Sequence, residues 1–268
     1  MSGVTVTKIQ DTGGAKVWQF CEDLGGGHSV DAWLVAGRGK AVFIDALQFA
    51  EGIAAKIRET LKGAGLDALP VDALILHGHI DHTGPAMGEI KKAGGTVYIH
   101  PADISLANPD GKYGKDFFTP IRDGVILDLD GIKLDIILLP GHTPGSLAAL
   151  DRERHWLFSS DTVGCGGIWV QLPHSLPLHT IRDNFKVFCD RMKQYPDLLV
   201  YSGHRYQCPD QGLPHIADLL ETMELVLEGK IRGTPMEIPP PMKAIAENPW
   251  YHAAHKLCRG LVYNPDNM

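Results

Sequence analysis

Short apolar runs rich in β-branched and aliphatic residues recur along the first third of the chain, with glycine-rich turns between them. Such runs predict strands, because helices are longer and repeat their apolar positions every three or four residues. The predicted strands of this region are residues 4–9, 16–20, 31–35, 41–44 and 71–76. We predict helices at residues 49–62, 85–93, 180–194 and 213–228.

The rest of the chain mixes strands and helices more loosely. Predicted strands follow at residues 96–99, 134–138, 146–150, 155–158 and 198–201, with another near Val125 and a short helix near Ala102. Two strand-rich halves, each accompanied by helices, indicate an α+β protein in which sheets pack face to face with helices outside. The elements do not alternate as a doubly wound parallel sheet would require.

The composition changes after Gly229. The prolines at 239–241 predict an extended linker, and Pro249 is expected to open a short terminal helix that carries His252 and His255. Residues 230–268 are too few for an independent core. We therefore expect one domain over residues 1–268, in which residues 230–268 form a helical arm packed on the same domain or on a second subunit of a homodimer.

Composition and charge narrow the class of protein. The chain of 268 residues has ordinary globular fractions, 44% hydrophobic and 21% charged, and a net charge of −7. An acidic chain without clustered Lys and Arg argues against a nucleic-acid partner. No apolar run approaches the roughly 18 residues that a membrane span needs. Five widely spaced cysteines and an N-terminus without signal-peptide features predict a cytoplasmic protein with reduced thiols.

The most informative segment is His-Gly-His-Ile-Asp-His at residues 77–82, directly after the predicted buried strand 71–76. Three imidazoles and a carboxylate at the end of a core strand are costly to bury without partners. Neutral imidazole and carboxylate are ligands that zinc and related divalent metals take. A polar turn whose histidines hydrogen-bond to backbone or water is the less favoured interpretation.

Three further apolar runs end in a metal-binding residue. These residues are His142, Asp161 and His204. Because the strand ends of a sandwich line one edge, ligands far apart in sequence can converge there. The sequence therefore predicts one metal centre assembled from several strand ends.

These motifs resemble those of the metallo-β-lactamase-fold hydrolases, which include glyoxalase II and quorum-sensing lactonases. The resemblance extends from about residue 33 to residue 204 and implies a four-layer αβ/βα sandwich. The matching positions are His77, His79, Asp81, His82, His142, Asp161 and His204, with Asp45 at a further recurrent acidic position.

The resemblance also implies roles for these residues. Three imidazoles, of His77, His79 and His142, would hold one metal. A second metal would be held by Asp81, His82 and His204, and Asp161 would bridge the two. We expect two divalent ions, zinc first, with iron or manganese as alternatives.

Two metals held in this way imply hydrolysis of a small-molecule carbonyl substrate by a metal-bridging hydroxide. Asp81 would also act in catalysis by orienting that hydroxide. Asp45 would fix a ligand imidazole from outside the ligand set, although a turn-capping role explains that residue equally well.

Other activities of the same superfamily stay open as alternatives. Persulfide dioxygenases share much of the motif set but use one iron, which would make the protein an oxidoreductase. Residues 164–169 lack the Gly-Arg-Thr-Asp associated with those enzymes. Flavodiiron proteins place Glu where His79 stands. A non-catalytic metal module is disfavoured, since structural sites close their coordination shell.

The substrate is only partly constrained. β-Lactamases usually lack a bridging Asp and phosphodiesterases that process RNA need a basic surface, so both are less favoured. Lactonases carry Tyr shortly after the bridging Asp, where Thr162 follows here. Glyoxalase II binds glutathione through basic residues of a C-terminal extension, and these are scattered here. A thioester, ester or lactone is expected.

The segment after Asp161 is expected to cover the site. Its candidate substrate contacts are Trp169, His174 and His179, together with Tyr206 beyond His204. A loop packed by its own aromatic and imidazole groups explains the first three equally simply.

Overall fold

The computed structural model describes residues 3–164, 167–205, 211–238, 243 and 249–268. By its internal contacts the chain divides into two compact units. The first unit comprises residues 1–137 and 149–154, and the second comprises residues 138–148 and 155–268. The single domain expected over residues 1–268 stays a prediction.

A seven-stranded sheet dominates the first unit, with its strands in sequence order from β1 to β7. The first four strands are antiparallel and the last four parallel. The strands are β1 (Val4–Thr12), β2 (Ala15–Gly25), β3 (His28–Ala36), β4 (Ala41–Ile44), β5 (Val71–Ile75), β6 (Val97–Ile99) and β7 (Phe118–Pro120). The short strands β8 (Ile126–Asp128) and β9 (Lys133–Leu138) pair antiparallel.

Three helices connect the parallel strands of this sheet. They are α1 (Ile53–Gly63), α2 (Ala86–Lys92) and α3 (Ile104–Ala107). Helix α1 buries Ile53, Ile57 and Leu61, which are four residues apart and therefore share one face. That face joins the core formed with Trp18, Phe20 and other buried side chains of the sheet.

The second unit contains two long helices and short strands. A parallel pair is formed by β11 (Trp156–Ser160) and β13 (Leu199–Ser202), while β10 (Leu147–Asp151) begins in this unit and ends in the first. The helices are α4 (Leu178–Met192) and α5 (Leu213–Leu227). A four-stranded sheet has the order β12-β16-β15-β14. Its strands are β12 (Gly167–Trp169), β14 (Thr234–Met236), β15 (Trp250–His255) and β16 (Cys258–Tyr263).

The C-terminal segment differs from its prediction. Residues 250–255, expected to form a helix, are strand β15, which pairs antiparallel with β16. Trp250 is buried beside Leu172 and Val262, so tertiary packing of β-prone aromatic and branched residues outweighs the helix-start signal of Pro249. The predicted linker at 239–241 lies outside the described residues. Within the described part of the chain, no helix is long and apolar enough to cross a membrane.

Candidate metal centre

The first group of ligand candidates lies at the carboxyl ends of two neighbouring strands of the seven-stranded sheet. Strands β4 and β5 are parallel and paired, so the segments that follow them leave the same edge of the sheet. Asp45 directly follows β4, and His77 stands two residues beyond β5. Register therefore brings together residues that are far apart in sequence.

Residues 77–82 form a turn, called here the histidine turn, in which the imidazoles pack against one another. The ring of His77 lies 4.9 Å from that of His79 and 4.4 Å from that of His82, measured between centroids. His77 and His82 are fully buried. Asp45, His77 and His82 each offer a ligand atom, and these atoms lie within 4.8 Å of one another. Buried imidazoles at such spacing suit a divalent transition metal, whereas both oxygens of the Asp45 carboxylate have hydrogen bonds of their own.

Asp45 is bonded to the histidine turn through both carboxylate oxygens. Oδ2 lies 3.1 Å from Nδ1 of His82, and Oδ1 accepts the Leu76 N–H at 3.0 Å. Since a carboxylate only accepts, Nδ1 of His82 carries the proton and Nε2 is the atom left for a ligand role. This is the geometry that the predicted supporting role of Asp45 requires; the role itself stays a prediction.

A second buried carboxylate holds the middle of the histidine turn. Oδ2 of Asp103 accepts the Gly78 N–H at 2.9 Å, and Asp103 is fully buried. A Cβ on Gly78 would lie 2.7 Å from both the Asp103 carbonyl oxygen and Leu106 Cβ, so only glycine allows this approach. Sequence reasoning missed Asp103 because its hydrogen bond is to backbone, which leaves no motif.

The far end of the turn is a short 3₁₀ helix, Ile80–His82. Thr83 Oγ1 donates to the His79 carbonyl at 3.0 Å, and Oδ2 of Asp81 lies 3.6 Å from Nε2 of His82. All four ligand candidates of residues 77–82 thus belong to one hydrogen-bonded turn.

In the second unit the remaining ligand candidates meet at Asp161. Strands β11 and β13 are parallel, and Asp161 and His204 follow their carboxyl ends. Oδ2 of Asp161 lies 3.3 Å from Nε2 of His204 and 3.8 Å from Nε2 of His142. One carboxylate oxygen therefore faces the ligand nitrogens of two histidines.

The orientation of His142 is set by main-chain and side-chain partners. Its Nδ1 donates to the Trp169 carbonyl at 2.6 Å, and its own carbonyl accepts a hydrogen bond from Ser175 Oγ at 3.0 Å. Because a carbonyl only accepts, Nδ1 carries the proton and Nε2 is directed to Asp161. The carbonyl of Trp169 and the hydroxyl of Ser175 were not found from sequence.

The candidate substrate contacts have varied surroundings. The Trp169 ring packs edge-to-face on Trp250 with centroids 5.9 Å apart. His174 is exposed in a turn, and His179 is exposed on α4 with its Nδ1 2.7 Å from the Met268 carbonyl oxygen. Tyr206 lies outside the described residues. The substrate roles of all four stay predictions.

The chain belongs to the metallo-beta-lactamase superfamily, whose sequence profile matches residues 25–204. The hydroxyacylglutathione hydrolase of Roseobacter denitrificans is 26% identical over 194 residues, covering 69% of this chain and 70% of that protein. Hydroxyacylglutathione hydrolase GloC of Haemophilus influenzae is 34% identical over 108 residues, 35% of this chain and 50% of the relative. This chain therefore spans half the length of the latter relative.

A thioesterase and two solved structures extend the comparison. Acyl-coenzyme A thioesterase MBLAC2 of Gallus gallus is 25% identical over 201 residues, 64% of this chain and 69% of that one. The metallo-beta-lactamase from Pontibacter korlensis has a TM-score of 0.61 at 18% identity, covering 82% of this chain and 99% of its own. TTHA1623 in a di-iron-bound form has a TM-score of 0.55 at 28% identity, covering 73% and 96%. The predicted fold class is confirmed.

Proposed function

We propose that this protein is a metal-dependent hydrolase that cleaves small thioesters. The observation that carries the proposal is the arrangement around Asp161, where one carboxylate oxygen faces the Nε2 atoms of His142 and His204. The buried imidazole cluster of the histidine turn supports it. The names of the relatives, two hydroxyacylglutathione hydrolases and an acyl-coenzyme A thioesterase, favour a thioester over a lactone or a simple ester.

The proposed ligand division follows the superfamily. By resemblance to the superfamily, His77, His79 and His142 would hold one divalent ion, while Asp81, His82 and His204 would hold a second. Asp161 would serve both ions, because a carboxylate offers two oxygens. Zinc is the proposed metal, with iron or manganese as alternatives. When bound, such ions supply Lewis acidity that lowers the pKa of a water molecule and polarises the substrate carbonyl.

The chain's own residues prepare the ligands for this task. Nδ1 of His82 donates to Asp45 and Nδ1 of His142 donates to the Trp169 carbonyl, so each imidazole offers Nε2 to a metal. Asp81, 28% exposed at its side chain, is the proposed group that orients the attacking water. The residues proposed to contact the substrate are Trp169, His174, His179 and Tyr206.

The proposed location of the protein is the cytoplasm, supported by the reduced thiols expected from sequence.

Metal content is the first test. Protein purified without added metal should contain two divalent ions per chain and hydrolyse an acyl thioester of glutathione or coenzyme A. A single iron, with oxygen consumed on a persulfide, would instead establish the dioxygenase alternative. Protein that binds metal but hydrolyses none of a panel of thioesters, esters and lactones would contradict the proposal.

Variants of Asp161 test the ligand assignment. Asp161→Ala is expected to lose one metal and to reduce kcat/KM about 10²- to 10³-fold, because the lost ion would have stabilised developing charge. His155→Asn provides a control in the same unit, because that histidine contacts the exposed carboxylate of Asp197, is in none of the ligand groups found among the described residues, and has a left-handed backbone that Asn tolerates. An Asp161→Ala variant that keeps both metals and full activity would refute the assignment.

A further inference from the structure

Glu22 is a charged residue in a position suited to an apolar one. It lies on β2, two and four residues beyond Phe20 and Trp18, so all three side chains point to the same face of the strand. Phe20 and Trp18 belong to the hydrophobic core of the first unit, and Glu22 is fully buried. Burying a carboxylate there is costly, and an apolar side chain would serve the core better. Stability alone does not explain the residue.

The carboxylate of Glu22 binds the backbone of a segment that follows a different strand. Oε2 accepts the Gln48 N–H at 2.8 Å, and the Phe49 N–H lies 3.2 Å from both oxygens. These amides are at the end of the segment 45–49, which begins directly after β4. Glu22 thus fixes the end of that segment from 26 residues away in sequence.

The segment between Asp45 and Phe49 has a backbone that needs such support. Asp45 and Leu47 have φ angles of 62° and 58°, in the left-handed region that non-glycine residues seldom adopt. Two backbone hydrogen bonds, each 2.9 Å, join the same segment to the end of the histidine turn and to the residue two positions beyond it: Ala46 N–H to the His82 carbonyl and Gly84 N–H to the Leu47 carbonyl. A shift of the segment would therefore displace both Asp45 and His82.

We propose that Glu22 is a positioning residue of the metal centre. This inference rests on the proposed function. It holds the left-handed segment in the one conformation that keeps Oδ2 of Asp45 on Nδ1 of His82, and so keeps Nε2 of His82 directed to a metal. A carboxylate suits this role, because backbone N–H groups bind an ionised acceptor more strongly than a neutral one. Glu22 contacts neither metal nor substrate in this role.

The proposal is tested by metal affinity in matched variants. Glu22→Gln keeps the shape and one acceptor oxygen, and Glu22→Ala removes both. We expect zinc affinity at one of the two sites to fall about 10-fold in Glu22→Gln and about 100-fold in Glu22→Ala, in the range found for groups that orient metal ligands. The measurements are competition with a chromophoric chelator and the absorption spectrum of the cobalt-substituted protein, which reports ligand geometry independently of activity.

Asp72→Asn is the control for a general loss of stability. Asp72 is also a buried carboxylate that accepts a backbone N–H, that of Thr96 at 2.8 Å, but it lies near the start of β5 instead of its carboxyl end. We expect wild-type zinc affinity and an unchanged cobalt spectrum for this variant. Equal losses in Asp72→Asn and Glu22→Gln would overturn the proposal, because they would indicate a stability effect alone.

Hydrogen exchange of the wild-type protein tests the same coupling without any substitution. Coupling between two sites is reciprocal, so zinc binding should slow exchange of the Gln48 and Phe49 amides at least several-fold. Unchanged exchange there, while the amides of the histidine turn become protected, would overturn the inference. Wild-type affinity in both Glu22 variants would overturn it too and leave the proposed function intact. A wild-type protein that binds no metal would overturn both.

Discussion

The Asp45 carboxylate lies 3.1 Å from the His82 imidazole (Oδ2 to Nδ1), and both side chains are buried. The two residues are 37 positions apart and meet because β4 and β5 are adjacent parallel strands. The contact fixes the tautomer of His82. It thereby decides which nitrogen is presented to a metal.

Substitution of Asp45 should weaken metal binding more than it weakens the fold. Asn tolerates the left-handed backbone at this position, so Asp45→Asn changes the acceptor without adding backbone strain. We expect metal affinity at one site to fall about 10- to 100-fold. Metal titration of the chelator-treated protein measures this, with urea unfolding of the metal-free variant as the stability control. Wild-type affinity in Asp45→Asn would show that His82 is oriented by other contacts.

The close approach of Gly78 to Asp103 predicts a sharp stability difference between two glycines. Gly78→Ala would place its Cβ 2.7 Å from backbone and from Leu106 Cβ, so we expect a loss of about 1–3 kcal/mol. Gly88→Ala is the matched control, because Gly88 lies in helix α2 and an added Cβ would be 3.7 Å from the nearest atom, Tyr113 Oη. Alanine there should raise stability by about 0.5–1 kcal/mol. Urea unfolding with both variants is decisive, and equal effects would contradict the packing argument.

The sequence could predict strands β4 and β5 and the candidate ligands that follow them, because their signals are local. Alternating and continuous apolar runs predicted β4 and β5, and the residues just beyond them were predicted as ligands or ligand supports. Asp103 and Glu22 could not be predicted in the same way. Each acts through backbone N–H groups brought near by tertiary structure, and every residue type except proline supplies such a group.

The C-terminal residues show the opposite limit. Pro249 followed by aromatic residues fits a helix start as well as a strand, and the choice depends on the partner strand. Residues 250–255 pair with β16, and His255 binds the buried carboxylate of Asp218 on α5 instead of facing solvent from a helix. Asp218 is 37 positions from His255, so the periodicity of the C-terminal residues could not show this contact.

Burial should make two cysteines unreactive in the native protein. Desolvation raises the pKa of the Cys21 thiol to about 11 and that of the Cys189 thiol to about 12. The nucleophile in alkylation is the thiolate, which is therefore scarce at pH 8. Iodoacetamide followed by peptide mass spectrometry should find both cysteines at least 10-fold slower in native than in urea-unfolded protein. Native rates equal to unfolded rates would show that these thiols are accessible.

The ion pair between Lys40 and Asp72 predicts an alkaline dependence of stability. Nζ of Lys40 lies 2.9 Å from Oδ2 of Asp72, and this hydrogen bond raises the pKa of Lys40 above its ordinary value of 10.5. A raised pKa means that the folded state favours the protonated amine. The contribution is therefore fully present below pH 10.5 and is lost as the pH rises through the folded-state pKa.

Lys40→Met measures this contribution. The Lys40 side chain is 39% exposed, so solvent screening limits the loss at pH 7 to about 1 kcal/mol or less. The difference in unfolding free energy between wild type and Lys40→Met should stay constant from neutral pH to about pH 9 and shrink above pH 10.5. Urea unfolding at a series of pH values gives this difference directly. A difference that instead grows as the pH rises would show that Lys40 is held in its neutral form, which contradicts the observed pairing.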